Sequence, residues 1–239
     1  MKKIAVITST RADYGLFRRL LLLLEQDSAF DLQLIVTGTH LSKKFGHTIQ
    51  EIRNDGLPIA KTVPMSDAIN TGLQMVQSMG QITPLFADAL TEVSPDLLLL
   101  LGDRFEIFTA ASVGYSLNIP IAHIHGGEVT SGALDDGYRH CITKLSHLHF
   151  PAATEYKKRT IQLGEEPETV FHVGGLGVDA IQNIEFMSRE ALEESLNISL
   201  SETIYLCTFH PITTQNNSVE ICQSMLKALA ETPPEYTKV

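Results

Sequence analysis

Apolar runs bounded by polar turns recur along the chain, with helix-length segments between them. The runs occupy residues 4–7, 32–36, 97–101, 119–124, 148–150, 170–173 and 204–207. They do not alternate apolar with polar positions, which predicts strands buried on both faces of a parallel sheet. The run at 97–101 also fits a buried helical turn, but Pro95 before it and Gly102 after it favour a strand. Helical spacing covers 16–26, 46–54, 68–93, with a kink expected at Gly80 or Pro84, and 105–117. Strand and helix in alternation predict an α/β fold built on a doubly wound parallel sheet.

The clearest punctuation is "HVGGLGVDAIQN" at 172–183, followed by a helical "SREALEESLN", a strand-like "TIYLCTFHP" and a helix over 218–231. This divides the chain into a Rossmann-like lobe at 1–172, a linker with helices at 173–200 and the beginning of a second lobe at 201–239. One βα unit cannot bury both of its faces, so the last part is expected to be the opening of an incomplete domain. Neither an internal repeat nor a low-complexity tract is visible.

Composition narrows the partners. The 239 residues carry a net charge of −10, and the strongest basic run is Lys157, Lys158 and Arg159. That excludes non-specific binding to nucleic acid or to an anionic membrane, which needs clustered Lys and Arg. An anionic small ligand stays open, because backbone amides at a helix start can hold phosphate. Cys141, Cys207 and Cys222 form no C-x-x-C pair and read as reduced thiols, which places the chain in the cytoplasm. The apolar run after Lys3 is too short for a secretion signal, and "LFRRLLLLLEQ" is too short to span a bilayer.

In an open α/β sheet, ligands sit beyond the carboxyl ends of the strands, so the polar residues just after each run carry the candidate chemistry. "TSTRADYG" sets Arg11 and Asp13 at a helix start, as an anion cradle or as a capped helix with a surface arginine. It is neither a G-x-G-x-x-G nor a Walker loop, so nicotinamide and ATP have no motif behind them. His40 follows the second run, and Asp103, Arg104 and Glu106 follow the third, where Asp103 is either a helix cap or a carboxylate tuned by a partly dry cleft. The richest stretch is "HIHGGEVTSGALDDGYRH" at 123–140. Its H-x-H pair with Glu128, Asp135 and Asp136 is a weak metal pattern, and no metal is expected. Gly126 and Gly127 let the backbone approach a ligand, and Arg139 lies four residues after Asp135 on one helical face. Asp103, Glu128, Asp135 and a histidine together have the parts for paired acid and base work on a small anionic substrate.

"TSTRADYG", "GDRFE", "HIHGGEVTSGALDDGYRHCITKLSHLHF", "VGGLGVD" and "TFHPITTQNN" together resemble the hydrolysing UDP-N-acetylglucosamine 2-epimerases of sialic acid synthesis and their bacterial relatives acting on UDP-diacetamido sugars. The resemblance runs through the chain in order. It implies a two-lobed glycosyltransferase-B-like fold with the active site between lobes, and a homodimer built on the first lobe. It also implies a reaction that removes the C2 proton, expels UDP to leave a glycal, and adds water with inversion at C2, without a cofactor. By matching position, Asp103, Asp135 and His210 are implied as catalytic, and Arg11, Arg104 and Arg139 as substrate contacts, with Asp13 and His40 on the same side. Some relatives have glutamate where this chain has His125, so His125 or Glu128 takes the remaining acid/base role. The family's second lobe, with the residues that hold uridine and ribose, is expected to be missing after Val239, which implies weak UDP affinity and low turnover. Two other readings are a glycosyltransferase of the same architecture and a non-catalytic, self-associating lobe.

Overall fold

A computed structural model of the chain describes residues 1–209 and 217–232, with the backbone of 237–238. Its first strand, β1 (Lys2–Thr8), sits between β2 (Phe30–Thr37) and β4 (Leu97–Leu101). The strands β3 (Ile59–Val63), β5 (Ile121–Ile124) and β6 (Leu148–Phe150) complete a six-stranded sheet in the order β3-β2-β1-β4-β5-β6, parallel throughout. The connections reverse direction between β1 and β4. Chain segments leaving those two strands therefore diverge to opposite faces and open a crevice at their carboxyl ends, where such sheets bind ligands.

The unbroken apolar runs follow from this layering. Ile4 and Val6 face the layer of α1 (Arg11–Gln26) and α2 (Ile49–Asn54), packing with Phe17, Leu21 and Ile52. Ala5 and Ile7 face the other layer, packing with Phe86, Leu90, Ile107 and Ile142 on α3 (Gly72–Val93), α4 (Phe105–Ser116) and α5 (Leu134–Leu145). Truncating a fully buried core residue such as Leu21 to alanine costs about 2–5 kcal/mol. α3 starts at Gly72, later than the spacing predicts, because Thr71 and Gln74 form a reciprocal cap there, and Pro84 lies inside the helix.

Three elements differ from the sequence pattern. β3 reads "IAKTV", too polar for a two-faced strand, and it lies at the sheet edge. The strand expected at 170–173 is reduced to one bridge between His149 and Val170, with Phe171 and Val173 exposed. The one at 204–207 shortens to β7 (Ile204–Tyr205).

The chain divides into two compact units, Met1–Gln182 and Asn183–Val239. The first includes α6 (Thr154–Gln162) and α7 (Leu176–Asn183) as far as Gln182. α7 is in contact with α1: Leu176 packs into the α1 layer and Asp179 pairs with Arg19 at 2.9 Å. The second unit contains α8 (Arg189–Leu196), capped by Ser188, then β7, α9 (Ser218–Ala230) and β8 (Thr237–Lys238), which pairs in parallel with β7. Among its described residues, neither α8 nor α9 has a buried position.

Candidate functional site

The turn after β1 is folded onto one carboxylate. Asp13 accepts from the amides of Ser9, at 3.1 Å, and Thr10, at 2.8 Å, and from the hydroxyls of Thr8, Ser9 and Thr10. It is the third helical residue of a capping box with Thr10, an arrangement that satisfies the first orphan donors of α1. His40 is fully buried beneath this turn, its Nε2 at 3.0 Å from Thr8 Oγ1 and its Nδ1 at 2.8 Å from Thr48 Oγ1. Burial holds its pKa below the ordinary value in spite of the Asp13 and Glu51 charges. The Asp13 carboxylate is thus engaged by its own turn, and both ring nitrogens of His40 are taken by threonines. Arg11 is 74% exposed and pairs with Glu51 of α2 at 3.0 Å.

The turn after β4 presents Asp103, which Arg139 of α5 grips through Nη2. The same Nη2 lies 3.0 Å from Thr130 Oγ1, while Arg139 Nε and Nη1 are buried with no partner among the described residues. Sequence spacing suggests Asp135 as the partner of Arg139; the structure gives it Asp103 instead. Arg104, half-exposed at the start of α4, contacts the buried Glu106 carboxylate at 2.5 Å. Burial alone would lower the Arg104 pKa, but Glu106 and the more distant Asp13 and Asp135 charges outweigh it and raise the value. Asp135, in the first turn of α5, has its pKa raised by burial first and by the Asp103 charge second.

Beyond β5 the chain turns sharply. His125 has φ 65°, in the left-handed region that a non-glycine residue rarely adopts, and such strain concentrates at functional positions. Its amide donates to Phe150 O at 3.1 Å, its Nδ1 stands 3.3 Å from Glu128 Oε1, and its buried Nε2 has no partner among the described residues. Burial lowers the His125 pKa, against the opposing pull of Glu128. Gly127 has φ 79° and passes so close to α6 that a Cβ there would meet Tyr156 O and Thr160 Oγ1, while Arg159 donates to Gly127 O. The two features hold Glu128 in place from behind.

The structure therefore gathers Asp103, Arg104, His125, Glu128, Asp135 and Arg139 on the turns after β4 and β5 and on α5. Asp13 and His40 lie under the β1 turn, Arg11 faces α2, and His210 falls outside the described residues. Thr130 and Glu106 join through their arginines; nothing in their spacing marks Thr130, whereas Glu106 stands two residues after Arg104. No group of three or more His, Cys, Asp or Glu that could hold a metal occurs among the described residues, and no helix there is long and apolar enough to cross a membrane.

Solved structures place this architecture among the UDP-sugar 2-epimerase folds. The Neisseria meningitidis UDP-GlcNAc 2-epimerase bound to UDP-GlcNAc aligns with a TM-score of 0.84 at 18% identity, over 99% of this chain and 64% of that one. The S. aureus MnaA–UDP co-structure aligns at 0.82 and 17%, over 100% and 62%. At such identities the likeness is one of fold. The family itself is shown by sequence: residues 23–239 match the UDP-N-acetylglucosamine 2-epimerase family, and the chain belongs to it. Over 95% of its length it is 40% identical to the GDP/UDP-N,N'-diacetylbacillosamine 2-epimerase (hydrolyzing) of Campylobacter jejuni, and over 97% it is 38% identical to the UDP-N,N'-diacetylbacillosamine 2-epimerase (hydrolyzing) of Legionella pneumophila. The chain spans 59% and 62% of those two relatives.

Proposed function

We propose that the site belongs to a hydrolysing 2-epimerase acting on a UDP-linked 2-acetamido sugar. The observation that carries this reading is the pair of carboxylates in unlike surroundings, Asp103 against the Arg139 guanidinium and Asp135 pushed toward the neutral form by burial and by Asp103. Carboxylates whose environments differ in this way divide acid and base work between them.

In this reading Asp135, a stronger base than a solvated aspartate, takes the C2 proton as the C1–O bond to UDP breaks and a C1=C2 glycal forms. The unpartnered Nε and Nη1 of Arg139, with Arg104, offset the charge that develops on the departing diphosphate, while Arg11, paired with Glu51, is assigned to the substrate by family position alone. Water then adds its hydroxyl to C1 while a proton returns to C2 from the opposite face. His125, with a free Nε2 and Glu128 behind Nδ1, handles the proton of that step, and Asp103 serves as the second carboxylate. Asp13 and His40 support the β1 turn, and His210 is assigned by family position alone. Cytoplasmic location and a homodimer accompany the reading; an apolar groove of about 570 Å³ between α3 and α4, lined by Val76, Met79, Phe108 and Leu117, supports the latter.

Two sugars compete. UDP-N-acetylglucosamine is one, leading to N-acetylmannosamine for nonulosonate synthesis. UDP-N,N'-diacetylbacillosamine is the other, favoured by the names of the relatives at 40% and 38% identity. The test is UDP release from each of the two. The reading expects release that Asp135→Asn abolishes; equal release by the wild type and Asp135→Asn overturns it.

A further inference from the structure

His123 lies in the middle of β5 with 0% of its surface exposed, registered between Leu100 of β4 and His149 of β6. Its Nε2 is 2.8 Å from Gly102 O. A carbonyl oxygen only accepts, so Nε2 carries the proton. Its Nδ1 is 3.1 Å from Thr143 Oγ1. Burial, with smaller contributions from the Arg139, His125 and His149 charges, pushes the ring pKa down to about 3, against the pull of the Gly102 carbonyl. The ring is therefore neutral, Nδ1 is an acceptor, and the Thr143 hydroxyl donates to it. Thr143 Oγ1 also donates to Arg139 O at 3.1 Å, so its single proton is shared between that carbonyl and the ring and links Arg139 to His123.

Both ends of this arrangement reach the candidate site. The Gly102 amide donates to Ile124 O at 3.2 Å, so β5 holds the peptide before Asp103 from both sides. Thr143 stands one helical turn after Arg139 on α5. Gly126 roofs the ring: a Cβ there would lie 3.0 Å from Thr143 Oγ1 and 3.1 Å from His123 Nδ1. With both nitrogens engaged, the imidazole has no edge left for a substrate.

We infer that His123 is a positioning residue, fixed as the Nε2–H tautomer, which ties the Gly102–Asp103 turn and α5 to the end of β5 and so sets how Asp103 meets Arg139. The consequence for catalysis rests on the reading of Asp103 and Arg139 proposed above; the clamp itself does not. In protein labelled with nitrogen-15 at histidine, the His123 ring is expected to show a protonated Nε2 and an unprotonated Nδ1, without titration between about pH 5 and 8. The opposite tautomer, or titration in that range, overturns the inference.

The kinetic arm compares His123→Gln, which keeps an N–H within reach of Gly102 O, with His123→Leu, which keeps neither bond, and Thr143→Val, which removes the partner of Nδ1 together with the hydroxyl's bond to Arg139 O. The leucine variant is expected to lower kcat by on the order of 100-fold with KM changed less than about threefold, because a displaced carboxylate costs orientation more than binding. Its pH–rate profile keeps the wild-type shape, glutamine recovers roughly tenfold of the loss, and valine falls between. An unchanged kcat in the leucine and valine variants overturns the positioning role, as does a pH limb that disappears with His123. Absence of UDP release in the wild type would defeat the functional reading alone, since the ring assignments still decide the clamp.

Discussion

Arg139 and Asp103 meet across the end of the sheet, the cation 7% and the carboxylate 21% exposed, joining α5 to the turn after β4. The pair buries a charge that an opposite charge in contact makes tolerable, and it leaves the buried Nε and Nη1 of Arg139 with no partner among the described residues.

Removing the cation strands the carboxylate. Arg139→Ala is expected to cost about 3 kcal/mol, toward the lower end of the range for breaking a buried pair because Asp103 keeps some contact with water. Arg139→Lys keeps the charge but not the planar fork that reaches both Asp103 and Thr130, so it should lose roughly half as much. Urea denaturation measures both, and a loss below about 0.5 kcal/mol for alanine would show the pair to be solvated.

Asp135 gives a pH dependence of defined sign. Its pKa is higher in the folded protein, so between its unfolded and folded values the folded state binds more protons, and stability falls as pH rises through that window. Asp135→Asn should therefore be more stable than the wild type at neutral pH and lose that part of the slope, while UDP release disappears. A less stable asparagine variant would mean that the carboxylate is supported where it sits.

His125 should set the acid limb of the rate. Burial lowers its pKa from the ordinary histidine value, and activity is expected to fall as the ring protonates, at a pH below that of an unperturbed imidazole. Glu128 pulls that pKa upward, so Glu128→Gln should move the limb to lower pH, and His125→Ala should remove it. A limb that survives in the alanine variant belongs to another group.

Gly127→Ala tests the loop behind Glu128. The left-handed backbone and the contact with Tyr156 O leave no room for a methyl group, and the combined cost is expected to be about 2–4 kcal/mol. Thermal unfolding reports it, and a neutral substitution would show that α6 yields there.

The parallel sheet was legible because strands buried on both faces leave unbroken apolar runs, as in Leu97–Leu101. β3 was not, because an edge strand that is only partly buried needs no such run. The segments holding Asp103, His125 and Glu128 after β4 and β5, and Asp135 at the start of α5, were legible as polar stretches following apolar runs. Their pairing was not: Asp135 and Arg139 share a helical face, yet Arg139 reaches a residue 36 positions away, which only the packing of α5 against α4 and β5 decides. Nor could spacing show that Asp13 and His40 turn their polar atoms inward, since a capping carboxylate and a substrate-facing one have the same sequence.

In the proposed reaction, chemistry begins with removal of the C2 proton. Its most direct test is incubation with UDP-N-acetylglucosamine and, separately, UDP-N,N'-diacetylbacillosamine in deuterated water, with the released sugar examined by proton NMR. Free UDP is expected together with a 2-epimeric sugar carrying deuterium at C2. UDP released with the original proton still on C2 would contradict the proposed reaction, and would mark the site as one that cleaves the glycosidic bond without elimination.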